Sequence, residues 1–309
     1  MSQKYDFGKF DFVGKIGLFG GISLVLVMIS LIYLGVKGIT YGIDFAGGTE
    51  VQVKFAGNVG IEDIRKQSEK LDLLNVGVQG FGDESEFIIR FQTKKGTTDK
   101  ETNDIQNADV ARLKDVINTV YADKAPEIRR VDSVGPQVGA ELKRNGFLSI
   151  FYCLLVILFY VALRFDYKYA PGAVICLAHD AIITLGVFVF LGKEVNIPIL
   201  AAILTLIGYS LNDTIVVFDR IRETEGEYRS RGIRFVINKA INDMLERTLI
   251  TSGTVFVSAL SLFIFAGGTV SDIALAICIG ILFGTYSSVY VAAPLILFME
   301  KILTPKKTA

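Results

Sequence analysis

Stretches without a charged side chain recur at residues 16–36, 145–163, 195–212, 248–271 and 273–299, and a sixth, at 169–192, is broken only by His179 and Asp180. Each approaches or exceeds the ~18 residues that a helix needs to cross a bilayer. They predict transmembrane helices at 16–36, 145–164, 170–192, 197–218, 248–267 and 273–299. Between the first two spans the pattern changes. Residues 49–55 alternate as a strand does, and 61–74 place apolar residues at 61, 64, 71 and 74, which suits an amphipathic helix. Residues 76–81 and 87–91 read as strands joined by a Gly-Asp-Glu-Ser turn, 104–121 as a second helix and 128–134 as a closing strand. The order strand, helix, strand, strand, helix, strand is that of the split βαβ, ferredoxin-like fold.

The predicted fold class is therefore an α-helical polytopic membrane protein with six transmembrane helices plus one α+β ferredoxin-like exported domain, at 38–144. Residues 145–299 form a five-helix bundle, and 1–15 and 300–309 are tails. Apolar positions at helical spacing among the charges of 219–247 predict an amphipathic helix lying on the membrane surface. The exported domain offers an open sheet face or edge for an extended peptide, or it serves as a spacer that packs on a partner.

Composition agrees with this partition. A chain that is 51% hydrophobic with a mean hydropathy of +0.47 is too apolar for a soluble enzyme, a secreted disulfide scaffold or a disordered chain. Its net charge of zero averages over two environments. With the N-terminus inside, the inside segments hold fifteen basic residues, among them Lys15, Arg164, Arg220 and Arg247, whereas the two short outside loops hold only Lys193. That asymmetry puts both termini in the cytoplasm; the other sixteen, between the first and second spans, belong to a long segment that is exported regardless of charge. The first span follows Lys4, Lys9 and Lys15 as a signal peptide would, but its length and the lack of a small-x-small site favour an uncleaved anchor. Cys153, Cys176 and Cys278 all fall within spans and read as buried small apolar residues.

Two glycine-bearing stretches flank the exported domain. Gly42, Asp44, Gly47, Gly48 and Thr49 lie in Gly-Ile-Asp-Phe-Ala-Gly-Gly-Thr, which lacks the Lys-Ser or Lys-Thr of a phosphate loop and reads as a turn that Asp44 caps. Gly135 and Pro136 lie in 133–142, where Pro136 opens the helix leading into the second span. Both read as hinges or collars between domain and membrane.

The ionisable residues within spans carry the sharper signal, because hydrocarbon excludes charge unless it is paired, neutral or wet. These are His179, Asp180 and Asp213. Asp213 sits in Gly-Tyr-Ser-Leu-Asn-Asp-Thr, where Ser210, Asn212 and Thr214 supply hydrogen-bond partners of a helix facing a protein interior. Such a carboxylate can exchange protons, neutral when dry and ionised when paired or hydrated. Arg247 opens the fifth span from the same side, either as its partner or as a positive-inside anchor. Asp180 reads as an interhelical hydrogen-bonding group, with a proton relay as the alternative. Its neighbour His179 should point about 100° away, so that the two do not make a dyad. No metal-ligand spacing accompanies them. Gly280 with Gly284, and Gly17 with Gly21, have the spacing of close helix contacts, within the chain or with a partner.

Taken together, 42–49, 133–142, His179-Asp180, 212–223 (Asn-Asp-Thr-Ile-Val-Val-Phe-Asp-Arg-Ile-Arg-Glu) and 247–254 (Arg-Thr-Leu-Ile-Thr-Ser-Gly-Thr) resemble the SecF family, the smaller membrane subunits of bacterial SecDF export complexes, over essentially the whole chain. Ala46 departs from the hydroxyl residue more usual there. The resemblance implies the resistance-nodulation-division superfamily, the bacterial inner membrane, and use of the proton gradient, with no other cofactor and no nucleotide hydrolysis, to promote late preprotein translocation. It also implies a heterodimer with SecD, contacts with the SecYEG translocon and YajC, preprotein as cargo, lipid as solvent, no nucleic acid, and Asp213 and Arg247 as proton-pathway residues. Two alternatives are a small-molecule exporter of the same superfamily and an intramembrane aspartyl protease using Asp180 and Asp213.

Overall fold

The structure, a computed structural model, describes residues 10–303 except 82, 95 and 166; parts of both expected tails, 1–9 and 304–309, lie outside it. Among the described residues, six helices are long and apolar enough to cross a membrane. They are α1 (Ile16–Lys37), α5 (Pro136–Arg164), α6 (Ala170–Phe190), α7 (Ile197–Tyr228), α8 (Ile233–Phe265) and α9 (Gly268–Ser287), the last continued by a π-helical turn (Ser288–Ala292) and α10 (Ala293–Leu303). Between α1 and α5 come the short α2 (Ile43–Ala46), β1 (Gly48–Lys54), α3 (Ile61–Glu69), β2 (Leu74–Phe81), β3 (Asp83–Gln92), α4 (Asp99–Val120) and β4 (Glu127–Val134).

The four strands form one antiparallel sheet in the order β2-β3-β1-β4, the expected split βαβ arrangement. Alternation drives it. Val51 and Val53 of β1 and Ile89 and Phe91 of β3 point to one face, where Ile64 of α3 and Leu113 and Ile117 of α4 bury them. Three boundaries of the domain's elements differ by more than two residues from those the pattern predicts. The first helix ends at Glu69, because Asp72 and Asn75 take left-handed conformations and Leu74 already pairs with Gln92. Asp83 pairs with Phe81, so residues 83–85 belong to β3 rather than to the turn. The second helix begins five residues early, where the Thr98 hydroxyl accepts a hydrogen bond from the Glu101 N–H at 3.2 Å and caps it.

In the bundle, 56% of the most apolar stretch of α6 is buried, as are 44% of that of α7 and 50% of that of α9 with its continuation, against 11% for α1 and 17% each for α5 and α8. Helices α6, α7 and α9 thus make the interior. Helix α1 docks on α6 by setting Ser30 where a Cβ at Gly186 would stand 2.5 Å from it. The amphipathic surface helix predicted at 219–247 is not formed. Instead α7 runs on to Tyr228 and α8 starts at Ile233, joined by a turn at Arg229–Arg231 and Gly232. The apolar positions of that segment, including Ile221, Val236, Ile237 and Ile241, are buried between helices. The helical spacing there records helix-on-helix packing rather than a membrane surface. On the same end, Asn238 accepts hydrogen bonds from the N–H groups of Phe12 (2.8 Å) and Val13 (3.0 Å), fixing the chain ahead of α1 against α8.

The two glycine-bearing stretches are packed on each other at the base of the domain. A Cβ at Gly47, whose φ is +72°, would lie 2.8 Å from Pro136 Cα, and one at Gly139 would lie 2.9 Å from the Gly47 nitrogen. Backbones can approach this closely only without side chains. The Gly42 N–H donates to the Val195 carbonyl (2.9 Å), the Val195 N–H donates to that of Thr40 (2.8 Å), and Asp44 Oδ2 accepts from the Ile197 N–H (2.9 Å). Asp44 therefore satisfies a free N–H at the start of α7, beside Asn196, which accepts from Ile199.

Candidate functional site

Helix α7 brings Ser210, Asp213, Thr214 and Val217 to one side, the i, i+3, i+4, i+7 spacing of a helix face, and all four are buried. Two polar clusters form along it. In the first, Asp180 of α6 is fully buried, and its Oδ2 accepts hydrogen bonds from the hydroxyls of Ser210 on α7 (2.5 Å) and Ser287 on α9 (2.8 Å). Its Oδ1 lies 2.9 Å from His179 Nδ1. The thiol of Cys176, one turn earlier on α6, donates to Ser287 (3.1 Å) and lies 3.8 Å from the Thr214 hydroxyl. Glycines let the helices close around this cluster: a Cβ at Gly284 would stand 3.3 Å from Ser210 Cβ, and one at Gly280 would collide with Leu206. Among the described residues no such neighbour lies within 4 Å of a Cβ at Gly17 or Gly21 on α1, so that pair makes no close contact with them.

The contact between His179 and Asp180 corrects the expectation that adjacent helical positions keep these side chains apart. The roughly 100° between successive residues separates Cβ atoms, but the imidazole ring reaches across the gap to the shorter carboxylate. The remaining nitrogen of the ring, Nε2, is buried, with no hydrogen-bond partner among the described residues.

The second cluster is smaller. Asp213 is buried and accepts a hydrogen bond from Ser252 of α8 at 3.0 Å. Arg247 is exposed five residues earlier on α8; its charge acts on Asp213, yet among the described residues no ion pair joins them within 4.0 Å. Asn212 is exposed and lies off the buried face. Ser252 and Thr248 line a cavity of about 360 Å³ between α7, α8 and α9, to which Phe12 also contributes. The two carboxylates use different partners and share no hydrogen bond, contrary to the shared proton that an aspartyl protease dyad requires. Among the described residues no group of His, Cys, Asp and Glu is arranged to hold a metal ion.

Ser252 and Ser287 were not singled out by their residue type. Ser252 stands within 247–254, and Ser287 within Thr-Tyr-Ser-Ser at 285–288, a polar interruption of an apolar span like the one around Asp213. That interruption was the available signal. At the other end of α7, Gly42, Asp44, Gly47, Gly48, Thr49, Gly135 and Pro136 form the collar. There the Thr49 hydroxyl meets that of Ser133 at 3.0 Å and Gln106 donates to the Gly48 carbonyl at 3.1 Å. Arg90 of β3 bridges Glu50 (2.6 Å) and Glu194, in the loop before α7.

Comparison with known proteins is consistent over the whole chain. Residues 113–302 match the model of the SecD/SecF protein export membrane protein, C-terminal, and 32–59 match the SecD/SecF GG motif. The chain is 42% identical over 291 residues to the protein translocase subunit SecF of Magnetococcus marinus, covering 94% of this chain and 92% of that one. It is 41% identical over 275 residues to that of Vibrio alginolyticus, covering 89% and 85%. The crystal structure of a Thermus SecDF, a translocon-associated membrane protein, superposes with a TM-score of 0.81 at 32% identity, over 95% of this chain and 39% of that chain. A SecDF in a super-membrane-facing form gives 0.70 at 31%, over 97% and 40%. The chain thus spans about two fifths of the solved SecDF chains but nearly the full length of the curated relatives. Identity at this level across so much of both sequences, together with six membrane helices around a ferredoxin-like domain, means that the chain belongs to the SecF family of protein translocase subunits and is a multi-pass membrane protein.

Proposed function

We propose that this chain is the proton-coupled half of an accessory motor that uses the proton-motive force to promote late steps of preprotein translocation. It acts paired with SecD and in contact with SecYEG and YajC, with no cofactor beyond the proton gradient. In this reading both termini are cytoplasmic and the ferredoxin-like domain is periplasmic, on the grounds of the distribution of basic residues. The observation that carries the proposal is the placement of one uninterrupted helix. Helix α7 has the Asp44 collar bonded to its first N–H and the buried Asp213 sixteen residues on, about 24 Å along the axis at 1.5 Å per residue. A change of charge at Asp213 alters what α7 can pack against, and the same rod carries the exported domain. Arg247, whose charge acts on Asp213 with no ion pair between the two among the described residues, supplies the charge that an ionised carboxylate would turn toward. The driving force suffices without nucleotide, since each charge crossing yields about 2.3 kcal/mol per 100 mV. The test is proton flux and preprotein export in Asp213→Asn and Arg247→Met variants assembled with SecD. Both activities should fall in both variants. Export and flux at wild-type levels in both would remove these residues from the mechanism.

A further inference from the structure

The cluster around Asp180 is richer than interhelical adhesion requires. Helices are held together in membranes by neutral hydroxyl and amide groups, whereas here the hub is a fully buried carboxylate next to a buried imidazole. The geometry sorts its two oxygens. Both hydroxyl donors, Ser210 and Ser287, converge on Oδ2, which leaves Oδ1 facing His179 Nδ1 alone. With neither group protonated beyond its neutral imidazole and anionic carboxylate, the pair would place a net negative charge in the dry interior. One added proton on Oδ1 turns the carboxylate into a carboxyl that can donate to His179 Nδ1, makes the pair neutral overall and consumes nothing else. Among the described residues no protein group bonds to Nε2 of His179, so the ring keeps one nitrogen unengaged beside the carboxylate. His179 also lines a groove of about 410 Å³ between α1, α6, the π-turn and α10.

We propose that His179 and Asp180 together form a second proton-holding site of this chain, distinct from Asp213 and linked to it through α7. The donors come from three helices, so a change in its proton count is felt by α6, α7 and α9 at once. Ser210 lies one turn before Asp213 on the same face, while Ser287 ends α9 where the π-turn begins. Such π-helical turns are frequent where a helix adjusts at a functional site. The other titratable groups around the pair are few. Helix α6 supplies Cys176 and the π-turn supplies Tyr290; α7 presents Ser210 and Thr214 while Asp213 is turned to Ser252, and α1 presents Ser23. Among the described residues no lysine or arginine bonds to either member of the pair, so the two must balance each other.

The inference deepens the proton-coupled reading, and one experiment separates the two. Protonated-carboxyl bands are followed by infrared difference titration on the purified complex with SecD, in the unaltered protein and in Asp180→Asn, His179→Gln, Ser287→Ala and Asp213→Asn variants. A titrating band should vanish in Asp180→Asn and persist in Asp213→Asn. Its midpoint should be displaced in His179→Gln, which removes the group that faces Oδ1. Ser287→Ala, which keeps the carboxylate and removes only one donor, should displace it too and covers the case in which Asp180→Asn does not assemble. The proposal is overturned if no band is lost in Asp180→Asn, or, should that variant not assemble, if the titration is unmoved in His179→Gln and Ser287→Ala. Proton flux that survives Asp213→Asn while the Asp180 band still titrates would sink the Asp213 reading and leave this one standing.

Discussion

Among the described residues, the Ser252 hydroxyl is the one side-chain hydrogen-bond donor to Asp213, and both groups are buried. Replacing Ser252 by alanine leaves a buried carboxyl oxygen without that donor, at a cost of about 1–3 kcal/mol. A Ser252→Ala variant should therefore lower the thermal stability of the complex and reduce proton flux, whereas Ser252→Thr, which keeps the hydroxyl, should restore both. Unchanged flux and stability in the alanine variant would show that Asp213 finds another partner. At this scale the sequence spoke through residue type. A carboxylate within an apolar run declared itself at Asp180 and Asp213, but a serine is common in membrane helices and becomes informative only when its neighbour across the interface is known. The same limit hid the His179–Asp180 contact, since helical spacing fixes where Cβ atoms lie and not how far a ring reaches.

Whole elements were legible where one periodicity held without competition. The six spans and the strand alternation of 49–55 emerged from pattern alone, because lipid and a half-buried sheet each impose a simple rule. The segment 219–247 failed because an amphipathic stripe is the same whether its apolar side meets lipid headgroups or another helix. Its resolution depends on Gly232, which joins α7 to α8 with φ +84° and ψ 153°, a region that residues with a Cβ avoid at a cost of about 1–3 kcal/mol. Gly232→Ala should lower the melting temperature of the complex while leaving flux per folded molecule intact; no loss of stability would mean that the turn adopts another conformation. The start of α4 shows a different omission. Apolar positions begin at Ile105, yet Thr98 and Glu101 form a capping pair a full turn and more upstream. Hydrogen bonds from the Thr97 hydroxyl and N–H hold the Glu101 carboxyl below the usual glutamate range. A carboxyl with a depressed folded value stabilises above its unfolded value and loses that contribution as the pH falls through the folded one. The protection of amides in the first turn of α4, measured against their intrinsic exchange rates, should thus fall as the pH drops below the ordinary glutamate range. Glu101→Gln should show weak protection with no such pH dependence.

Across the molecule, the question is how an event at Asp213 reaches a domain at the far end of α7. Besides the backbone hydrogen bonds that join Thr40 and Gly42 to Val195, two side-chain links span the join: Asp44 on the first N–H of α7, and Arg90 between Glu50 of the sheet and Glu194 of the loop preceding that helix. They differ in kind. The ion pair is partly exposed, with Arg90 at 20% and Glu194 at 30%, so solvent screens it and it is worth about 1 kcal/mol or less. The Asp44 bond is made to a helix terminus whose dipole favours a carboxylate, and it fixes the direction in which the collar meets the rod. If force passes through α7, Asp44→Ala should separate the two activities of the complex, with proton flux continuing through an intact Asp213 and export falling several-fold. Arg90→Leu, which leaves Asp44 in place, should reduce export much less. Flux and export falling together in Asp44→Ala would indicate that the collar holds the bundle together rather than transmitting movement, and unchanged export would place the transmission elsewhere, in α5 or in the partner subunit.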